Sequence, residues 1–149
     1  MTTSYGVPTS YSMGDIIAVD ISSDYNEVSH INVIGKRQVV NPPKVMYIGF
    51  TTLTRNDSTF FIYNELPENL QRPESGQKNV RGAKLDETVV IYASTAGPGV
   101  TKHILIEKTA KAGIDAIMPR TVLKDRFRKG VIYLLRKKGE DTFLTKISG

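Results

Sequence analysis

The sequence predicts a mainly β domain, an antiparallel barrel or sandwich with one or two short helices in its C-terminal half. Three observations predict it. Short runs rich in β-branched and aromatic residues recur along the chain, such as residues 16–21 and 59–63. Clusters of Gly, Pro, Asn, Asp and Ser separate these runs and carry turn chemistry. Helical spacing of apolar residues emerges only beyond residue 100. At 149 residues the chain is long enough for one domain with a substantial core.

The elements follow in order. Residues 1–13 carry no charged side chain and are punctuated by Gly6 and Pro8, so they are expected as an extended N-terminal arm. A single β-rich domain over 14–149 is expected after it. Tyr5, Val7, Tyr11 and Met13 are the arm's candidate partner-binding residues, since tyrosine joins a large contact area to a polar tip. Residues 16–21 form a strand and 22–26 a turn. Residues 28–34 form a second strand, with Ser29, Ile31 and Val33 on one face and Val28, His30, Asn32 and Ile34 on the other. After a turn at 35–37, Val39 and Val40 make a short extended piece that Asn41, Pro42 and Pro43 end. A strand over 45–50 is expected to form a hairpin with 59–63 across the turn residues 55–58. Residues 64–86 contain Pro67, Pro73, Gly76 and Gly82 and little periodicity. They predict a long surface loop with a short helical turn near 67–70.

Residues 88–93 are apolar on both faces, which predicts a central strand, and Ala96, Gly97, Pro98 and Gly99 turn the chain. Ile106, Ala110, Ile114 and Ile117 then fall at helical spacing, predicting a helix over 101–118. Gly113 weakens it by about 1 kcal/mol. The alternative is a strand at 103–107 followed by a short helix. Residues 121–129 fit a short helix with Thr121 as N-cap, Gly130 just beyond its end, and Leu123 and Phe127 turned inward. Residues 131–138 and 142–148 predict a hairpin across Gly139, Glu140 and Asp141.

Several chemistries are excluded or unsupported. With no Cys, the chain has no disulfide, thiolate nucleophile or cysteine metal site. The only histidines are His30 and His103, and no Gly-x-Ser-x-Gly elbow, His-x₃-His pair or calcium-loop spacing of Asp occurs. No catalytic residue, metal or cofactor is expected, and the chain is not expected to be an enzyme. The turn at Gly97–Lys102 between a strand and an expected helix suits an anion, yet Lys102 stands where a dinucleotide fingerprint needs its third Gly. No apolar stretch approaches the ~20 residues that span a bilayer. The first residues lack the features of a secretory signal, so the expected location is the cytoplasm or a virion, and no membrane partner is expected.

Charge is the remaining signal. Net charge is +5, but residues 1–75 hold 5 basic and 8 acidic side chains, whereas 76–149 hold 15 and 7. Such asymmetry points to a basic surface and an anionic partner. Residues 120–138 carry Arg120, Lys124, Arg126, Arg128, Lys129, Arg136, Lys137 and Lys138 against Asp125 alone. On the expected helix Arg120, Lys124 and Arg128 share a face. These three, with Arg136, Lys137 and Lys138, are candidate contacts to an anion or to nucleic acid. An uncharged Tyr/Ser/Thr arm, a long loop and oppositely charged halves suit packing into a larger assembly or homo-oligomer. In this general style the chain resembles a minor virion protein of a tailed bacterial virus, a capsid-auxiliary, neck or tail component. That resemblance implies a structural subunit acting through protein–protein contacts; a nucleic-acid-binding module is the alternative.

Overall fold

The computed structural model describes residues 10–24, 26–55, 58–95, 98–108 and 113–148. Its strands are β1 (Tyr11–Met13), β2 (Ile16–Ile21), β3 (Val28–Ile34), β4 (Gln38–Val40), β5 (Thr51–Arg55), β6 (Ser58–Glu65), β7 (Val80–Arg81), β8 (Val89–Ser94), β9 (Thr101–Ile106), β10 (Asp115–Ile117), β11 (Leu123–Lys124), β12 (Val131–Lys138) and β13 (Asp141–Ser148). Four 3-10 turns lie at Lys44–Tyr47, Pro67–Gln71, Glu74–Gly76 and Gly82–Glu87. The fold is mainly β. Its sheets stack as in a sandwich, and among the described residues none closes into a barrel. No helix among them is long and apolar enough to cross a membrane.

The antiparallel sheet β5-β6-β8-β9 sits at the centre. Because side chains alternate along a strand, each of its faces carries its own apolar set. Phe61, Tyr63, Val89, Ile91 and Ala93 pack on Ile16 and Ile34 from the β2–β3 hairpin. Leu53, Ile62 and Val90 face the opposite way, onto Ile117, Ile132, Leu134 and Ile147 from the sheet of β10, β12, β11 and β13. The hairpin and the C-terminal sheet therefore cover opposite faces of one central layer. A third cluster, including Val40, Tyr47, Leu66, Val80, Leu85 and Met118, closes the end where β1-β4-β7 lies.

A buried amide network joins these layers. Asn64, at the end of β6, is fully buried. Its Nδ2 donates to the carbonyls of Tyr47 (2.9 Å) and Ile117 (2.7 Å), and its Oδ1 accepts from Ile117 N (3.0 Å). Gln38 Nε2 donates to Asn64 O (2.8 Å), while Gln38 Oε1 accepts from Gly49 N (2.8 Å) and Lys36 Nζ (3.2 Å). These bonds satisfy buried backbone groups of the 3-10 turn at Tyr47, of Gly49, of Asn64 itself and of Ile117 in β10.

The structure matches the expected hairpins and redraws several elements. β2 and β3 pair as expected, as do β12 and β13. The expected strand at 45–50 is instead a 3-10 turn, with β5 starting at Thr51. Gly49 has φ +105°, a conformation that breaks a strand, and Tyr47 and Ile48 turn into the core. Residues 64–86 hold the helical turn expected near 67–70, and Leu66, Val80 and Leu85 within them are buried. The expected helix over 101–118 is corrected: 101–106 is β9, antiparallel to β8, and 115–117 is β10. The β-branched and aromatic neighbours of β8 override the 3.6-residue spacing of Ile106, Ile114 and Ile117. The strand half of the alternative is what forms, and 109–112 lie outside the described residues. The helix expected over 121–129 is also absent: β11 pairs with β12, and 125–130 form a turn. Among the described residues the helical elements are the four 3-10 turns, of which Gly82–Glu87 lies in the C-terminal half.

Asn64→Ala removes three buried hydrogen bonds and leaves Tyr47 and Ile117 backbone groups unpaired. At 1–3 kcal/mol per buried group, the expected loss is about 3 kcal/mol or more, read as a lower urea midpoint with unchanged slope. An Asn64→Ala midpoint equal to that of the native chain would show that the network does not bind the layers.

Candidate interaction surfaces

The β2–β3 hairpin presents an apolar ladder to solvent. Ile17 pairs with Val33, Val19 with Ile31, and Ile21 with Val28 beyond an irregularity at Asp20 and Ile21. All six are at least 40% exposed, Ile17 (67%) and Ile31 (64%) the most. The inner residues Ile16 and Ile34 are buried and Asn32 nearly so, so one face is committed to the core and the ladder faces away. Single exposed apolar residues are ordinary, but a contiguous row of this kind marks a contact surface. The hairpin and its turn are acidic, with Asp20, Asp24 and Glu27 and no Lys or Arg, and Asp20 pairs with His30 on the face opposite the ladder. In the turn, Asp24 accepts from Ser22 Oγ and from Asn26 N and Nδ2. Those bonds hold its carboxyl below the usual carboxylate range, so it carries its charge at neutral pH.

The second surface is the turn between β11 and β12. Asp125 Oδ1 accepts from the backbone N of Phe127 (2.8 Å) and Arg128 (3.1 Å), an Asx-type turn that sets the loop tip. Those bonds, led by the one from Phe127 N, keep Asp125 ionised. Phe127 stands at the tip 91% exposed, the most exposed apolar residue described, and Leu123 is 62% exposed. Both were expected to face inward on a helix. With no helix there, neither reaches the core. Arg126, Arg128 and Lys129 flank Phe127 and are exposed. Lys124, Arg128 and Lys129 line a groove of about 260 Å³ against Thr52–Thr54.

The candidate anion contacts are therefore divided. Lys124 and Arg128 belong to this groove, while Arg120, also exposed, lies beside Gly49. The shared helical face of these three does not form. Arg136 is not a surface cation: its Nε donates to Asp115 Oδ1 (2.7 Å), its NH2 also meets that oxygen, and the Asp115 side chain is fully buried. Lys137 donates to the Glu140 carbonyl and is half-buried; Lys138 is exposed at the hairpin end. Of the arm residues, Tyr5 and Val7 lie outside the described residues. Tyr11 and Met13 sit on β1, which pairs with β4, and Met13 packs on the chain's own core while Tyr11 is exposed.

The glycine turn does not become a phosphate cradle. β9 follows it, so no helix N-terminus points there, and Lys102 Nζ donates to Gly35 O (2.7 Å). Gly97 itself lies outside the described residues. His30 is exposed opposite Asp20, and His103 stacks on Tyr92 at 5.2 Å.

Besides Asp115, the side chains of Glu65 and Lys36 are buried. Glu65 Oε1 accepts from Leu66 N (2.8 Å) and Asn69 Nδ2 (2.7 Å), and burial raises its pKa. Lys36 is 1% exposed. Burial pushes its ammonium down to about 8, against the pull of Glu65 and Asp15. The folded value lies below the ordinary 10.5, so the unfolded chain binds more protons between them. The Lys36 contribution to stability therefore rises from pH 8 to 10.5 and is lost as pH falls through 8. Urea midpoints across this range are expected to move in favour of the native chain relative to Lys36→Met; parallel curves would contradict it. Arg136→Ala, which removes the Arg136 partner of the buried Asp115 carboxylate, is expected to cost about 3–5 kcal/mol by the same measurement. Compared with known proteins, the chain matches no family model, no curated protein and no solved structure.

Proposed function

We propose that this chain is a non-enzymatic structural or assembly subunit that acts through protein–protein contacts. The general style of the sequence favours a minor virion component of a bacterial virus, capsid-auxiliary, neck or tail. The observation that carries the reading is the β2–β3 ladder, six exposed Ile and Val residues on a hairpin whose base is anchored by the buried Ile16, Asn32 and Ile34. Burying such side chains is worth roughly 1.5–3 kcal/mol each when complete, so a partner covering the ladder gains several kcal/mol. A lone soluble domain has no use for that exposure, which promotes aggregation. The exposed Phe127 among Arg126, Arg128 and Lys129 supports the same reading with a second contact region.

Sedimentation of the complex isolated from its source tests this reading. The intact chain is expected in a species several times heavier than its own 16.5 kDa. Ile17→Thr combined with Ile31→Thr is expected to leave that species. A chain that sediments as a 16.5 kDa monomer both in extract and when purified would overturn the assembly reading.

A further inference from the structure

We infer that the β2–β3 ladder of one copy receives the Phe127 loop of a second copy, joining copies head to tail. The inference rests on the assembly reading and names its partner. Three observations carry it. Among the described residues the hairpin carries six exposed apolar side chains in one ladder, and Phe127, at 91% on the loop tip, is the most exposed single one. The charges beside them are opposite in sign: Asp24 and Glu27 lie in the turn at the ladder's outer end, with no Lys or Arg before residue 36, and Arg126, Arg128 and Lys129 flank Phe127. Apolar centres with complementary charges beside them are the anatomy of a specific contact.

Their placement is the third observation. The hairpin packs on one face of the central sheet and the C-terminal sheet on the other. The two surfaces therefore point away from each other, and one chain cannot satisfy both by folding back on itself. A contact between two different patches is heterologous, so each added copy leaves one hairpin and one loop free. Such a series closes into a ring if the rotation permits and otherwise extends. Nucleic acid is the competing occupant of the loop, where a base can stack on Phe127, but it leaves the apolar ladder uncovered.

The test is sedimentation of the purified full-length chain over a concentration series, at low and high salt. The native chain is expected to associate, more strongly at low salt. Phe127→Ser, Arg126→Glu with Arg128→Glu, and Glu27→Lys are each expected to weaken association about tenfold or more. All these side chains are exposed, and unchanged thermal unfolding confirms that each variant folds. Mixing the two charge-reversed variants is expected to restore association that neither shows alone, with the two alternating in equal proportion. Association that survives Phe127→Ser and both reversals would overturn the pairing. So would loop variants that lose duplex DNA binding at low salt while sedimenting like the native chain. A purified chain that stays monomeric, beside a heavy complex in the source, would remove the second copy as partner and leave the assembly reading standing.

Discussion

The fold depends on how buried backbone groups are satisfied where strands are too short to do it themselves. β4 and β10 have three residues each and sit at the joint between layers. β4 is paired by β1 and β7, whereas β10 pairs with β12 and takes further bonds at Ile117 from the Asn64 side chain. The Asn64 amide supplies two donors and an acceptor at that joint, and Gln38 extends the chain of bonds to Gly49 and Lys36. A side-chain amide suits the task because it carries both polarities in one rigid plane. Through it the central sheet, the 3-10 turn before β5 and the C-terminal sheet are held in one register. The position of β10 sets that of β12, and so where the Phe127 loop emerges.

Charge is sorted by burial as much as by sequence. Arg136 and Asp115 neutralise one another inside the protein, and Lys36 shares its surroundings with the Glu65 and Asp15 carboxylates. Counting basic residues over 120–138 therefore overstates the surface field. What stays outside is the cluster at the β11–β12 turn, set on a loop that Asp125 shapes. The same loop exposes a phenyl ring, which an electrostatic surface alone does not need. On the hairpin the pattern is inverted, with an apolar centre and an acidic turn. Each region is unfavourable in water by itself, and each offers what the other lacks.

Much of the β framework was legible in the sequence. β2, β3, β8 and the β12–β13 hairpin fall where runs of Val, Ile and Tyr alternate between turn residues, because strand pattern and turn chemistry are local. The region 101–130 was misread for a physical reason. Ile106, Ile114 and Ile117 have helical spacing, and Thr121 to Gly130 has helix-end residues at both ends, yet both stretches are recruited as partners to existing strands. Such pairing is a long-range gain that no window of adjacent residues displays. The exposed ladder had a sequence signal: Ile17, Val19, Ile21, Ile31 and Val33 make both strands apolar on the second face too. What the pattern could not tell is whether that face meets another layer of the same chain.

The sequence by itself determined the β character, the unequal charge of the two halves, the absence of cysteine chemistry and the positions of the main hairpins. All of these are properties of composition or of residues a few positions apart. Only the tertiary structure decided which apolar faces are covered, which cations are neutralised and where Phe127 points. Those outcomes depend on contacts between residues distant in the chain, such as Asn64 with Ile117 and Asp115 with Arg136. Burial and pairing are properties of the packed layers, and a side chain acquires them only when the rest of the molecule has arrived around it.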